Sequence, residues 1–196
     1  MVNIRINTER LLIRNPAHKD FPDWHRLLSD PKTMYYLRQD ILTRNEKESR
    51  DNLDMAISEI TNPNRKMYFL AIEEGCSGKF VGSIGYTVTD STPMGKHVHL
   101  GYFILPEFHG KGITTEACAG LICFAFEQGG VYRIGTGAFS QNIASIRVMQ
   151  KSGMTYEGTL RQTRYFEKFG FMDMAYYSVL RDEYFDICKG ELRSCK

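Results

Sequence analysis

The chain has 196 residues and a mass of 22.6 kDa, the size of one ordinary domain, so a two-domain enzyme is not expected. Hydrophobic residues make up 42% and charged residues 24%, enough to bury a core without disulfides or metal, which excludes a disordered or fibrous chain. With 25 basic against 23 acidic residues the net charge is +2, which excludes wrapping nucleic acid with a basic surface; any polyanionic ligand must be gripped locally.

In chain order, the apolar run from Glu9 to Arg14 predicts an opening strand, closed by Pro16. Between Asp20 and Leu37, Trp24, Leu27 and Leu28 share a helical face, and Asp30-Pro31 restarts a second short helix carrying Met34, Tyr35 and Leu37. Thr43 and Glu46 have capping-box spacing, and Leu53, Ala56, Ile57 and Ile60 then recur at helical intervals until Asn62-Pro63-Asn64. A hairpin follows, from Met67 to Ile72 and from Phe80 to Val88, then a polar loop from Asp90 to Lys96 and a strand from Val98 to Leu105. The segment His109-Gly110-Lys111-Gly112-Ile113-Thr114 leads into a helix carrying Ala117, Leu121, Ile122 and Ala125 and ended by Gly129-Gly130. A strand from Tyr132 to Phe139, a short helix from Asn142 to Ser152 and two strands, Thr155 to Arg164 and Phe171 to Leu180, complete the pattern. This order predicts a single α/β domain of the α+β type over residues 8–184, with a polar tail over 185–196.

The five cysteines, Cys76, Cys118, Cys123, Cys188 and Cys195, are odd in number and show no C-x-x-C spacing, which argues against a disulfide framework and against a zinc site. The amino terminus lacks the apolar core of a signal peptide, and no stretch approaches the roughly 18 apolar residues of a membrane span. A cytoplasmic protein with reduced thiols, no metal and no membrane partner is expected.

Glycines at 110 and 112 between a strand and a helix let backbone N–H groups approach a ligand, and the helix terminus adds partial positive charge. Such a loop suits a pyrophosphate, although a turn that binds nothing has the same pattern. No G-x-x-x-x-G-K-[ST] is present, and Gly112 is followed by Ile113-Thr114-Thr115, not a third glycine of a dinucleotide fingerprint.

The segment Pro106-Glu107-Phe108-His109-Gly110-Lys111-Gly112-Ile113-Thr114-Thr115-Glu116-Ala117 resembles the P-E-[YF]-x-G-K-G-x-x-T-E-A motif of the GNAT acetyltransferases, in particular their RimJ/RimL-like branch. Downstream, Asn142 to Met154 resembles the family's N-x-x-S-x-x-[VL]-x-x-K-x-G-[FM] motif, in the right order and spacing. Thr8-Glu9-Arg10-Leu11 and Tyr177 to Tyr184 extend the likeness over nearly the whole chain. The resemblance implies a mostly antiparallel sheet of about seven strands with about four to five helices, split in a V between the strands at Val98 and Tyr132. Acetyl-CoA would lie in the split as co-substrate. Unpaired amides around Phe103, Ile104 and Leu105 would bond the pantetheine, the loop of His109, Gly110, Lys111, Gly112, Ile113 and Thr114 the pyrophosphate, with Asn142 on the pantetheine arm and Ser145 near the sulfur.

The chain departs from the family in three places. The loop begins with His109 and ends with Thr114, changes that its main-chain donors survive. Met149 stands where many relatives carry a tyrosine proton donor, which leaves Ser145 as the nearest replacement. His99, in Val98-His99-Leu100-Gly101-Tyr102, stands where the branch has a glutamate. An imidazole with a pKa near 6.5 is a competent base at neutral pH, though a strand histidine that only packs has the same sequence signature. An α-amine, with a pKa of about 8, needs less help from a base than a lysine ε-amine at about 10.4. With the resemblance, this implies a protein amino terminus of the ribosomal-protein type as acceptor; a polyamine or aminoglycoside, or a non-catalytic acyl-CoA sensor, are the alternatives. A monomer or a homodimer is expected.

Overall fold

The computed structural model describes residues 3–36, 45–167 and 169–184. The elements are β1 (Arg5–Asn7), β2 (Leu11–Arg14), α1 (Phe21–Ser29), α2 (Glu46–Ser58), β3 (Met67–Glu74), β4 (Phe80–Thr92), β5 (Gly95–Ile104), α3 (Ile113–Glu127), β6 (Val131–Phe139), α4 (Ile143–Lys151), β7 (Thr155–Phe166) and β8 (Gly170–Leu180). They build one eight-stranded sheet in the order β1-β2-β3-β4-β5-β6-β8-β7, antiparallel except where β5 meets β6.

The mixed α/β class is as expected, and the strand count is one higher. Residues 3–14 form two strands, not one: Thr8 turns the chain, its amide donating to the Leu11 carbonyl, so that Ile6 pairs with Ile13. The Asp90 to Lys96 loop is also corrected. Ser91 pairs with Lys96 and Thr92 with Gly95, so β4 and β5 form a long hairpin closed by Pro93 and Met94. Pro93 sits in the turn, where its missing N–H costs no ladder bond. Residues 31–36 form turns where a second helix was expected, and Leu37, Thr43 and the tail at 185–196 lie outside the described residues. The cap of α2 is Asn45, whose side chain accepts from the Glu48 amide while Glu48 accepts from the Asn45 amide, a reciprocal cap two residues beyond the expected one.

Helices α3 and α4 cover one face of the sheet, and α1 and α2 cover β2 to β4 on the other. Period-two alternation explains the partition on β5: Val98, Leu100 and Ile104 are buried on the α3 face, whereas His97 and His99 point to the opposite one. Each fully buried aliphatic side chain, such as Leu70, Leu100 or Leu121, contributes about 1.5–3 kcal/mol. α3 buries residues on most of its circumference, including Ile113, Ala117, Leu121, Ile122 and Phe126, and so forms the centre of that layer. Across the sheet α1 is fixed by Trp24, whose ring meets Phe80 edge-on at 6.3 Å, and by Arg14, which bridges Asp20 and Glu73. Hydrogen bonding to Asp20 holds the Arg14 guanidinium firmly protonated there.

Candidate active site

β5 and β6 run parallel only from Lys96 to His99, the last partners being His99 and Gly135. Beyond that point the hydroxyl of Thr136 donates to the Leu100 carbonyl at 2.9 Å, and no further rung joins the two strands. β5 nevertheless remains paired with β4 as far as Ile104 and β6 with β8 as far as Phe139. Two strands held on their outer edges and released on their inner ones leave a split lined by backbone polar groups. Because the Leu100 carbonyl faces the split, alternation turns the backbone of Tyr102 and Ile104 the same way and that of Phe103 toward β4.

This distribution refines the expected backbone donors. The Leu105 amide is taken, donating to the Val81 carbonyl at 3.0 Å, and the Ile104 carbonyl accepts from His109 Nε2 at 2.8 Å. Tyr102, not Phe103 or Leu105, supplies the inward-facing backbone at mid-strand. His109 acts through its ring, which must carry its proton on Nε2 to reach a carbonyl and so folds the loop back on the end of β5.

The glycine loop ends in residues that only glycine tolerates well: Gly110 and Gly112 have φ of +74° and +75°. Gly112 is the N-cap of α3 and offers no side chain, so the first amides of the helix are left for another acceptor. Gly110, Lys111 and Gly112 are exposed, Thr114 is half-buried and Ile113 anchors the turn in the core. The Lys111 ammonium lies 5.6 Å from the Phe108 ring centroid. Glu116, in the first turn of α3, accepts from Thr8 Oγ1 at 2.6 Å, the Arg10 amide at 2.7 Å and Arg10 Nε at 2.6 Å. Burial works against its charge, but those three donors outweigh it and hold the carboxyl below its ordinary pKa.

Across the split, Asn142 caps α4 by accepting from the Ser145 amide at 3.2 Å, which leaves its amide nitrogen as the group available to a ligand. Ser145 Oγ lies 2.6 Å from the Tyr102 hydroxyl. Sequence reasoning missed Tyr102 as a functional residue; its one signal was the alternation that sets it three residues after His99, on the other face. Met149 is buried in the core, 1% exposed, and carries no donor into the split.

His99 lies on the face away from α3 and α4. It lines a cavity of about 230 Å³ together with His97, Thr89, Arg133, Gly135 and Tyr176. The residue keeps solvent access, yet the protein crowding its ring lowers its pKa by desolvation. Tyr176 of β8 lines this cavity, whereas Met172 of the same strand is core, against Phe139 and Phe166. The nearby Glu157 is neutralised by Arg133 at 2.9 Å and by the Ser178 hydroxyl. Arg161 and Arg164 are exposed on β7, away from the residues lining the cavity. Among the described residues no group of His, Cys, Asp and Glu is placed to hold a metal ion.

Residues 10–155, which carry the loop at α3, the split and most of the cavity lining, match one family model, the acetyltransferase (GNAT) domain. The chain belongs to the GNAT acetyltransferase family. The GNAT chain is 27% identical over 187 residues to the uncharacterized N-acetyltransferase YnaD of Bacillus subtilis (strain 168), covering 92% of this chain and 99% of that one. Its fold is similar to that of RimL, a ribosomal L7/L12 α-N-protein acetyltransferase solved with coenzyme A, with TM-score 0.76, 20% identity and coverage of 90% and 98%. It is equally similar to spermidine N-acetyltransferase from Vibrio cholerae solved with CoA and spermine, with TM-score 0.75, 16% identity and coverage of 89% and 98%. A GNAT domain makes the protein an acetyltransferase.

Proposed function

We propose that the protein moves an acetyl group from acetyl-CoA to the α-amine of a protein amino terminus, in the manner of the RimJ/RimL-like branch. The observation that carries this reading is the split itself. It places an anion-receptive loop and a line of inward-facing backbone on the α3 side, and His99 with its cavity on the other, so that two substrates can meet from opposite faces. Acetyl-CoA suits the donor set: main-chain N–H groups at a helix start for a pyrophosphate, and the Tyr102 backbone for an amide-bearing arm.

In this reading His99 takes the proton released by the amine as its nitrogen bonds to the thioester carbon, and passes it to water. The C–S bond breaks, the sulfur keeps the electron pair, and Ser145 stabilises the departing thiolate by hydrogen bonding. The cavity supports an α-amine over a polyamine because its lining offers Arg133, His97 and His99 and no free carboxylate among the described residues. A polyamine reading rests on the likeness to the spermidine enzyme and shares the same donor site. A screen of Ala- and Ser-initiated peptides, spermidine and an aminoglycoside at one acetyl-CoA concentration, read by mass spectrometry, separates them. Acetylated peptide α-amine supports the proposal; acetylated spermidine alone overturns it.

A further inference from the structure

α4 carries methionine where a phenol would donate, but the sheet brings a phenol to α4 from the other side of the split. The Tyr102 hydroxyl lies 2.6 Å from Ser145 Oγ and 3.2 Å from the Ser145 carbonyl oxygen, so it touches both oxygens of that residue. Two proton arrangements follow. If the phenol donates to the carbonyl, the serine proton is spent on the phenolic oxygen. If the phenol donates to Oγ, the serine proton is free for a third atom; the 2.6 Å contact serves either arrangement, and an anionic sulfur as the third atom favours this one, because a charge-assisted bond is the stronger.

We infer that Tyr102 is a positioning residue for acetyl transfer: it donates to Ser145 Oγ and thereby aims the Ser145 proton at the sulfur leaving the thioester. The inference rests on the proposed acetyl-CoA reaction. Burial supports it, because desolvation raises the phenol pKa and keeps Tyr102 protonated, a permanent donor and not an acid that gives its proton away. Three neighbouring facts fix the geometry. Tyr102 is held in register opposite Ile84, Ser145 is held by the Asn142 cap, and both sit beside the point where β5 leaves β6. Protons balance without ionising either hydroxyl. The amine proton leaves through His99 to water, the thiolate accepts a hydrogen bond from Ser145, and after release it takes its proton from water.

The test uses Tyr102→Phe, which keeps the ring in the core, with Ser145→Ala and the double variant. Thiol release from acetyl-CoA is followed with the best acceptor among the peptides, spermidine and aminoglycoside named above. Tyr102→Phe is expected to lower kcat by about tenfold, as for one lost neutral hydrogen bond, with KM for acetyl-CoA changed less than about twofold. Because Tyr102 acts through Ser145, the double variant should be no slower than the slower single one. A wild-type kcat in Tyr102→Phe, or losses that multiply in the double variant, overturns the inference. Absence of thiol release by the wild-type enzyme with every acceptor would instead overturn the underlying reaction, and this inference with it.

Discussion

Arg10 and Glu116, far apart in sequence, are joined by a backbone bond of 2.7 Å and a side-chain bond of 2.6 Å. The same guanidinium reaches the Lys111 carbonyl at 3.1 Å, so the β1–β2 hairpin is tied both to the first turn of α3 and to the glycine loop that precedes it. The proposed anion site needs its amides already aimed, and this clamp holds the loop that carries them.

Replacing Glu116 with alanine should therefore affect both stability and cofactor affinity. Loss of three hydrogen bonds at a half-buried carboxylate, discounted for the solvent around Arg10, is expected to cost about 2 kcal/mol. Thermal unfolding should shift down by about 4–8 °C, and CoA should bind about tenfold more weakly. Since the folded-state pKa of Glu116 is depressed, this contribution is present above the unfolded carboxylate value and lost as pH falls through the folded one. Melting curves at neutral and acid pH, compared between wild type and variant, should therefore converge on acidification; a constant difference would refute the linkage.

Gly112→Val addresses the loop alone. At φ +75° an L side chain costs about 1–2 kcal/mol, and its Cβ would stand 3.6 Å from the Arg10 guanidinium. The expected result, by calorimetry, is a loss of CoA affinity of at least about tenfold with the domain still folded. Undiminished affinity would contradict the placement of the pyrophosphate.

As the proposed base, His99 would set the pH dependence. Desolvation lowers its pKa, so the ring is neutral at pH 7 and activity should fall only as pH drops through a value below the ordinary imidazole pKa of about 6.5. The sign for stability is the same, since the unfolded chain binds the proton more readily and folding weakens on acidification. His99→Ala should remove the acid limb and lower kcat at pH 7 by about 100-fold without altering CoA affinity. An unchanged pH–rate profile in the variant would rule His99 out as the base.

The thiols should divide by burial. Cys76 is exposed, whereas the Cys118 thiol, within α3, is pushed up to about 12 by burial, and the thiolate is the reactive form. Alkylation at pH 8 followed by peptide mapping should label Cys76 in the native enzyme and Cys118 only after unfolding. Native labelling of Cys118 would show that α3 opens locally.

Local sequence determined much of this protein. Alternation along Val98 to Leu105, glycines at 110 and 112, and the Asn142 cap depend on neighbours within a few residues, and each yields the expected element. The tertiary structure decided what depends on distant partners. The loop at Asp90 to Lys96 became a hairpin because its residues pair across the turn, a gain visible only once both strands exist. Thr8 and Arg10 became loop supports only when the hairpin was laid against α3, and Tyr102 became a partner of Ser145 only when β5 and α4 met. A net charge of +2 spread over 196 residues does not need a basic face, because the candidate anion site is made of main-chain amides, which the sequence encodes as glycine and the fold turns into donors.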